Sequence, residues 1–287
     1  MFEYTDLAHK SWLVCSRGRG TGFVLVSLIF DSAQYQCTAP FAWDQDTTMA
    51  GFFRFLRNAP SYHFRKGDIQ RLNKRHRMII EPIKTEIAGS RILDIAAHDG
   101  RWCTAYAAAG AREVIGIEAR PELVQRFQEF PQEPYTSTID LRVGEMLTTM
   151  EEMVQEGETF DIVSLLGIFY HTMEHQRLLN LASQLKPKLI VIDGEFALRD
   201  YSVIILTRER TDNELNTVEQ VPGQEVAMVG IPSPAATEAM AAVVGYACTW
   251  ADWDLLPIGD RQYLDDYFRT EKKRRRTCFL QPSGGTD

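Results

Sequence analysis

The chain has 287 residues, 45% of them apolar, with 31 Lys plus Arg against 39 Asp plus Glu and a formal net charge of −8. This length and composition suit one large globular domain with an appendage, or two small domains, and they exclude disorder for the bulk of the chain. The acidic balance opposes a phosphate backbone, and no stretch approaches the roughly 18 to 20 apolar residues that span a bilayer.

Cys15, Cys37, Cys103, Cys248 and Cys278 are odd in number, scattered and without a Cys-x-x-Cys pair, which predicts a reducing compartment and no zinc site. Glu3 and Asp6 stand where a secretion signal carries positive charge, so the expected location is cytoplasmic.

Taken in chain order, residues 1 to about 60 carry apolar runs, Trp12 to Cys15 and Phe23 to Phe30, around a Gly/Arg turn at Arg17 to Gly22, the pattern of a hairpin. Ile69, Leu72, Ile79, Ile80, Ile83 and Ile87 then recur at spacings of three and four, predicting a lead-in helix that Pro82 kinks or restarts. From Arg91 to about Phe196, β-rich runs alternate with helical stretches. The strands are Arg91 to Ile95, Glu113 to Ile117, Ile139 to Val143, Phe160 to Leu166 and Leu189 to Asp193. The helices are Thr104 to Gly110, Pro121 to Phe130, Met146 to Gln155 and Gln176 to Leu185. Such alternation builds βαβ units, hence a mostly parallel sheet with helices on both faces. After a polar stretch, Thr211 to Gln224, come an N-cap at Ser233, a helix from Pro234 to Val244 and strands at Ala247 to Asp254 and Thr277 to Leu280. The expected fold class is therefore α/β, a Rossmann-like sheet of seven strands with an N-terminal extension. Residues 1–88 are expected as a cover over the ligand end of the sheet or an oligomer contact, residues 89–287 as the main domain, and 211–230 as a lid.

The first strand ends in Asp94 and runs through Ala96-Ala97-His98-Asp99-Gly100 into a helix, and Glu118 closes the next strand. This resembles the class I S-adenosylmethionine-dependent methyltransferases, whose first strand leads into Leu-Asp-x-Gly-x-Gly-x-Gly and whose second ends in a ribose-binding acid. The resemblance implies S-adenosylmethionine as cofactor, with Glu118 on the ribose hydroxyls through charge-assisted hydrogen bonds and Asp94 on the amino group. Ala96 and His98 depart from the pattern, standing where the first two glycines are expected; histidine tolerates left-handed φ, so Ala96, His98 and Gly100 are kept as the cofactor loop. A nicotinamide dehydrogenase also uses a strand, a glycine turn and an acid. Its pyrophosphate would be repelled by Asp94 and Asp99, however, whereas a sulfonium with an ammonium group would be attracted. At the end of the third strand, Glu145 and Met146 match the positions where the family meets adenine; as a plain alternative, Glu145 is an acid favoured at a helix N-terminus.

After the fourth strand, Gly167-Ile168-Phe169-Tyr170-His171 resembles the Gly-x-x-Tyr-His of wobble-uridine tRNA carboxymethyltransferases and the small-molecule methyltransferases around them. The resemblance implies that Tyr170 and His171 meet the acceptor. His171 is the candidate general base, with a helix-capping or core histidine as the structural alternative. His171 and His175 lack a third ligand, so no metal is expected. Asp193 and Glu195, at the same sheet edge, are read as turn residues, with lining of the acceptor site as the alternative. Between Arg54 and Ala88 lie nine Lys or Arg, with Phe53, Phe55, Tyr62 and Phe64 interleaved; we read Arg71, Lys74 and Arg75 as a solvated helix face rather than an RNA surface. The expected activity is O-methylation of a small-molecule acceptor. The alternatives are a tRNA-modifying transferase and a cofactor-binding relic without turnover.

Overall fold

The computed structural model describes residues 51–284 and the backbone of two short strands before them, β1 (Tyr4–Leu7) and β2 (Lys10–Leu13), which pair antiparallel. The hairpin turn expected at Arg17 to Gly22 lies outside the described residues. By internal contacts the chain divides into Met1–Thr47 and Thr48–Asp287.

In the second unit, short 3-10 turns at Phe52–Asn58 and Pro60–Tyr62 lead into α1 (Lys66–Ile79). Pro82 interrupts the apolar stripe as expected. A proline has no N–H to continue the ladder, so Glu81–Ile83 is a 3-10 turn and the helix restarts as α2 (Lys84–Ile87). Next in order come β3 (Arg91–Ile95), α3 (Arg101–Ala108), β4 (Glu113–Glu118), α4 (Pro121–Arg126), β5 (Ile139–Val143), α5 (Met146–Gln155), β6 (Ile162–Leu166), α6 (His175–Gln184) and β7 (Leu189–Ala197). A hairpin of β8 (Ile204–Arg210) and β9 (Val226–Pro232) precedes α7 (Pro234–Val243), β10 (Tyr246–Trp250) and β11 (Lys273–Pro282).

The sheet has seven strands in the order β10-β11-β7-β6-β3-β4-β5. β3 to β7 run parallel, and β11 is antiparallel to both of its neighbours. The chain leaves β3 in one direction through β4 and β5, then returns to place β6 on β3's other side. That reversal opens a crevice at the carboxyl ends of β3 and β6, where ligands bind in open α/β sheets. Ile92, Leu93, Val163, Ile190 and Val191 are fully buried because helices cover both faces, which is why these strands read as mostly apolar runs. One face packs on α1 and α3 through Ile69, Ile79 and Tyr106, the other on α5, α6 and α7 through Met150, Leu178 and Ala241.

Three sequence expectations need correction. The division expected after residue 88 cuts through this core, since Phe53, Leu56 and Ile69 pack with Ile92 and Trp102. The stretch expected as a lid is partly strand: Val226–Pro232 pairs with Ile204–Arg210, and residues 211–225 connect them. The basic face of α1 is docked, not solvated. Arg71 donates to Asp266 Oδ1 at 2.6 Å, Lys74 to the Gln262 carbonyl at 2.8 Å, and Arg75 is buried against Asp193. Phe53 and Tyr62 are core residues as well, so those aromatics offer no stacking surface.

Candidate active site

A cleft of about 680 Å³ opens at the carboxyl ends of β3, β4 and β6. Of the residues singled out from the sequence, Ala96, His98, Glu118, Glu145, Met146, Tyr170 and His171 all line it; Asp94 and Gly100 are buried and do not.

The loop after β3 keeps a glycine-type path without the glycines. Ala96, His98 and Gly100 have φ of 57°, 55° and 77°, all left-handed. For Ala96 and His98 this is strained, at about 1–2 kcal/mol per residue. The His98 ring compensates by accepting the Asp99 amide at Nδ1 (2.8 Å), a local bond that holds the turn. Glu118, buried at the end of β4, accepts the backbone N–H of His98 at Oε2 and of Arg120 at Oε1, each at 2.9 Å. Two backbone donors fix the carboxylate at the cleft wall, and each oxygen retains a lone pair for a further donor.

Asp94 is buried within β3 and accepts hydrogen bonds from Ser164 Oγ (2.7 Å) and Cys103 Sγ (3.4 Å). Burial drives its pKa up to about 7; those two hydrogen bonds only partly oppose the rise, and nearby Glu118 adds to it. Asp99 behaves oppositely. Burial would raise it too, but the Arg101 guanidinium, with Nε at 2.6 Å from Oδ1, outweighs that and holds the carboxyl well below the usual range. Tyr62 also donates to Asp99 at 2.7 Å. Of the two carboxylates expected to attract a cation, only Asp94 lacks a basic partner among its hydrogen bonds.

Glu145 is the N-cap of α5, accepting the Thr148 N–H at 2.8 Å, while Met146 follows in its first turn. The turn after β6 is set by Gly167, which takes φ 98° and donates its N–H to the Asp193 carbonyl at 2.7 Å. That turn carries Tyr170 over Gly194 of β7. A Cβ there would stand 2.8 Å from the ring, so glycine makes the room. His171 lies beside Tyr170 with ring centroids 4.0 Å apart, and its Nδ1 is 2.6 Å from Glu209 Oε2 on β8. His175 faces away into the core, with Nε2 at 2.9 Å from the Gly230 carbonyl, so it does not pair with His171.

Asp193 and Glu195 belong to β7, not to a turn, and neither lines the cleft. Asp193 is instead an internal anchor. Arg75 and Arg275 both bond its Oδ1 at 2.7 Å, while Tyr267 and Thr277 donate to Oδ2. Burial would raise Asp193, but the two guanidiniums and the hydroxyl donors hold it far below the usual carboxylate range. Two guanidiniums on one carboxylate leave a net positive charge in the wall beside Tyr170, to whose hydroxyl oxygen Arg275 donates at 3.1 Å. Nothing in the sequence pointed to Glu209, because β8 was not expected, and Arg275 belongs to a basic run, Lys272 to Arg276, that carries no motif of its own. Among the described residues no group of three or more His, Cys, Asp or Glu is arranged to hold a metal, and no helix is long and apolar enough to cross a membrane.

Residues 92–188 match the family model of a methyltransferase domain. The chain is 31% identical over 124 residues to the tRNA U34 carboxymethyltransferase of Marinobacter nauticus, covering 40% of this chain and 36% of that protein. It is 31% identical over 113 residues to the enzyme of that name from Cellvibrio japonicus, covering 36% and 34%. The match thus spans about a third of the length of these curated relatives. The N-terminal domain of EvdMO1, solved with SAH bound, superposes with a TM-score of 0.51 at 16% identity, covering 75% of this chain and 80% of that one. Residues 92–188 are thus similar to a methyltransferase domain, and the sheet shares the fold of the EvdMO1 N-terminal domain.

Proposed function

We propose that the protein transfers the methyl group of S-adenosylmethionine to a hydroxyl of a small-molecule acceptor, with His171 as general base. The observation that carries this is the shared cleft, lined by Glu118 at the end of β4 and by His171 beyond β6, whose Nδ1 is held by Glu209. The residues present fit the cofactor. Glu118, with both oxygens oriented by backbone donors, suits a vicinal diol, Met146 offers an apolar surface to an adenine, and buried Asp94 favours a cation nearby. When bound, S-adenosylmethionine supplies an electrophilic methyl carbon, whose bond to sulfur breaks, leaving the electron pair on sulfur, as the acceptor oxygen bonds to that carbon. His171 takes the hydroxyl proton at Nε2, and the resulting imidazolium is paired with Glu209. A positioned base of this kind contributes about 10² to 10⁴ in rate.

Calorimetry with S-adenosylhomocysteine tests the assignment. Glu118→Ala should weaken binding by about ten- to hundredfold, the loss of a charged acceptor worth about 1.5 to 3 kcal/mol. A wild-type protein that ignored the compound and bound a nicotinamide nucleotide would refute it.

A second reading is favoured by the surplus positive charge of Arg75 and Arg275 beside Tyr170, together with the names of the relatives: transfer of a carboxymethyl group to RNA, in which that charge meets the carboxylate. It predicts tighter binding of an S-adenosylmethionine carrying a carboxylate on its transferred methyl, abolished in Arg275→Met. It also predicts tRNA binding that falls about 10³-fold or more between about 50 and 200 mM salt for six phosphate contacts. The acidic chain and the docked basic face of α1 lead us to expect neither.

A further inference from the structure

Glu209 lies on β8 opposite Ala227 of β9, mostly buried, with its side chain 15% exposed. Its Oε2 is 2.6 Å from His171 Nδ1 and also accepts the Thr217 N–H at 3.3 Å. An ionised carboxylate can only accept, so the shared proton in the neutral ring resides on Nδ1 and the lone pair on Nε2. Left alone in water, a neutral histidine favours the other tautomer, with its proton on Nε2, and in that form the ring nitrogen left to face an acceptor is a donor rather than a base.

We propose that Glu209 is a positioning residue that fixes the tautomer and orientation of His171; the proposal rests on the methyl-transfer reading above. Glu209 does not touch the reacting atoms. It acts through the ring, and it does so from a hairpin that is tied to the cofactor side of the cleft. Arg120 Nη2 donates to the carbonyls of Thr211, Asn213 and Asn216 at 3.3, 3.2 and 3.1 Å, and Arg126 Nη2 donates to Glu214 at 2.8 Å. Arg120 is the residue whose backbone N–H also fixes Glu118. One short segment after β4 therefore secures both the candidate ribose acid and the loop that supplies the second bond to Glu209.

The test is the long-range ¹H–¹⁵N spectrum of ¹⁵N-histidine-labelled full chain at alkaline pH, with neither cofactor nor acceptor present. The His171 signals are assigned by their loss in His171→Asn. Wild type should show the proton on Nδ1. Glu209→Ala should move it predominantly to Nε2, and so should Glu209→Met, which fills similar space without an oxygen acceptor. If Glu209→Ala fails to fold, Glu209→Met decides alone. A wild-type ring protonated on Nε2, or a tautomer unchanged in the variant that folds, overturns the proposal. Because no cofactor or acceptor is present, these results are independent of the function assigned: a ring that follows Glu209 in a protein that binds no S-adenosylhomocysteine sinks the methyltransferase reading alone. In an active enzyme, Glu209→Ala should lower kcat by about 10² or more with cofactor affinity unchanged.

Discussion

Asp94→Asn separates what the fold needs from what the cofactor needs. The wild-type carboxyl is buried, with a pKa raised to about 7, whereas in the unfolded chain it titrates near the ordinary 3.8. Between those values the folded state holds one proton more than the unfolded state, so stability from this group falls as pH rises from about 4 to 7 and is level above. Three orders of magnitude in proton affinity, at about 1.4 kcal/mol each, cap the penalty at about 4 kcal/mol above pH 7. Asparagine keeps the shape and can still accept the Ser164 hydroxyl, but it aims an amide N–H₂ at Cys103 in place of an acceptor. We therefore expect a net gain of about 1–3 kcal/mol in the cofactor-free protein at pH 8, shrinking towards zero near pH 4. The assay is urea unfolding of both proteins at intervals from pH 4 to 8; their difference isolates this group from the other carboxyls. The same substitution removes the carboxylate available to a bound cation, so S-adenosylhomocysteine affinity should fall in calorimetry as stability rises. A variant less stable than wild type at pH 8, or a difference that does not grow with pH, would refute the account of Asp94 as a buried carboxylate held at a cost.

Ala96→Gly should leave the fold intact and raise stability by up to about 1 kcal/mol, since relief of the left-handed φ of 57° exceeds the extra backbone entropy of glycine; a lower urea midpoint would show that Ala96 is not strained. Asp193→Asn should cost about 3–5 kcal/mol, because Arg75 and Arg275 would both remain buried without a carboxylate. A change below about 1 kcal/mol in the same unfolding measurement would mean that the arginines reach water or another acid.

The sheet was legible in the sequence because its physics is local. A parallel strand buried on both faces must be largely apolar, and Ile92 to Ile95, Val163 to Leu166 and Leu189 to Ile192 say so without any partner being known; their polar exceptions, Asp94 and Ser164, bond each other. Helix boundaries followed from side chains acting on their own backbone: Pro82 broke the lead-in helix, and Ser233 Oγ accepts the Ala236 N–H at the start of α7. The positions of Glu118 at the end of β4 and of His171 in the turn that follows β6 were equally readable, since the carboxyl ends of the strands are where this architecture gathers its polar groups. Charge pairing across the fold was not readable. Arg71, Lys74 and Arg75 look like any exposed helix face until the segment around Asp260 to Tyr267, some 190 residues later, is folded against them. Asp193 looked like a turn acid until β11 brought Arg275 and Thr277 alongside β7. Glu209 meets His171 only because the β8 and β9 hairpin turns back over the end of β6, a contact between residues 38 apart. Periodicity reports which face of an element avoids water, and that is a property of the segment. Which cation shares which carboxylate depends on where remote segments meet, and only the tertiary structure decides it.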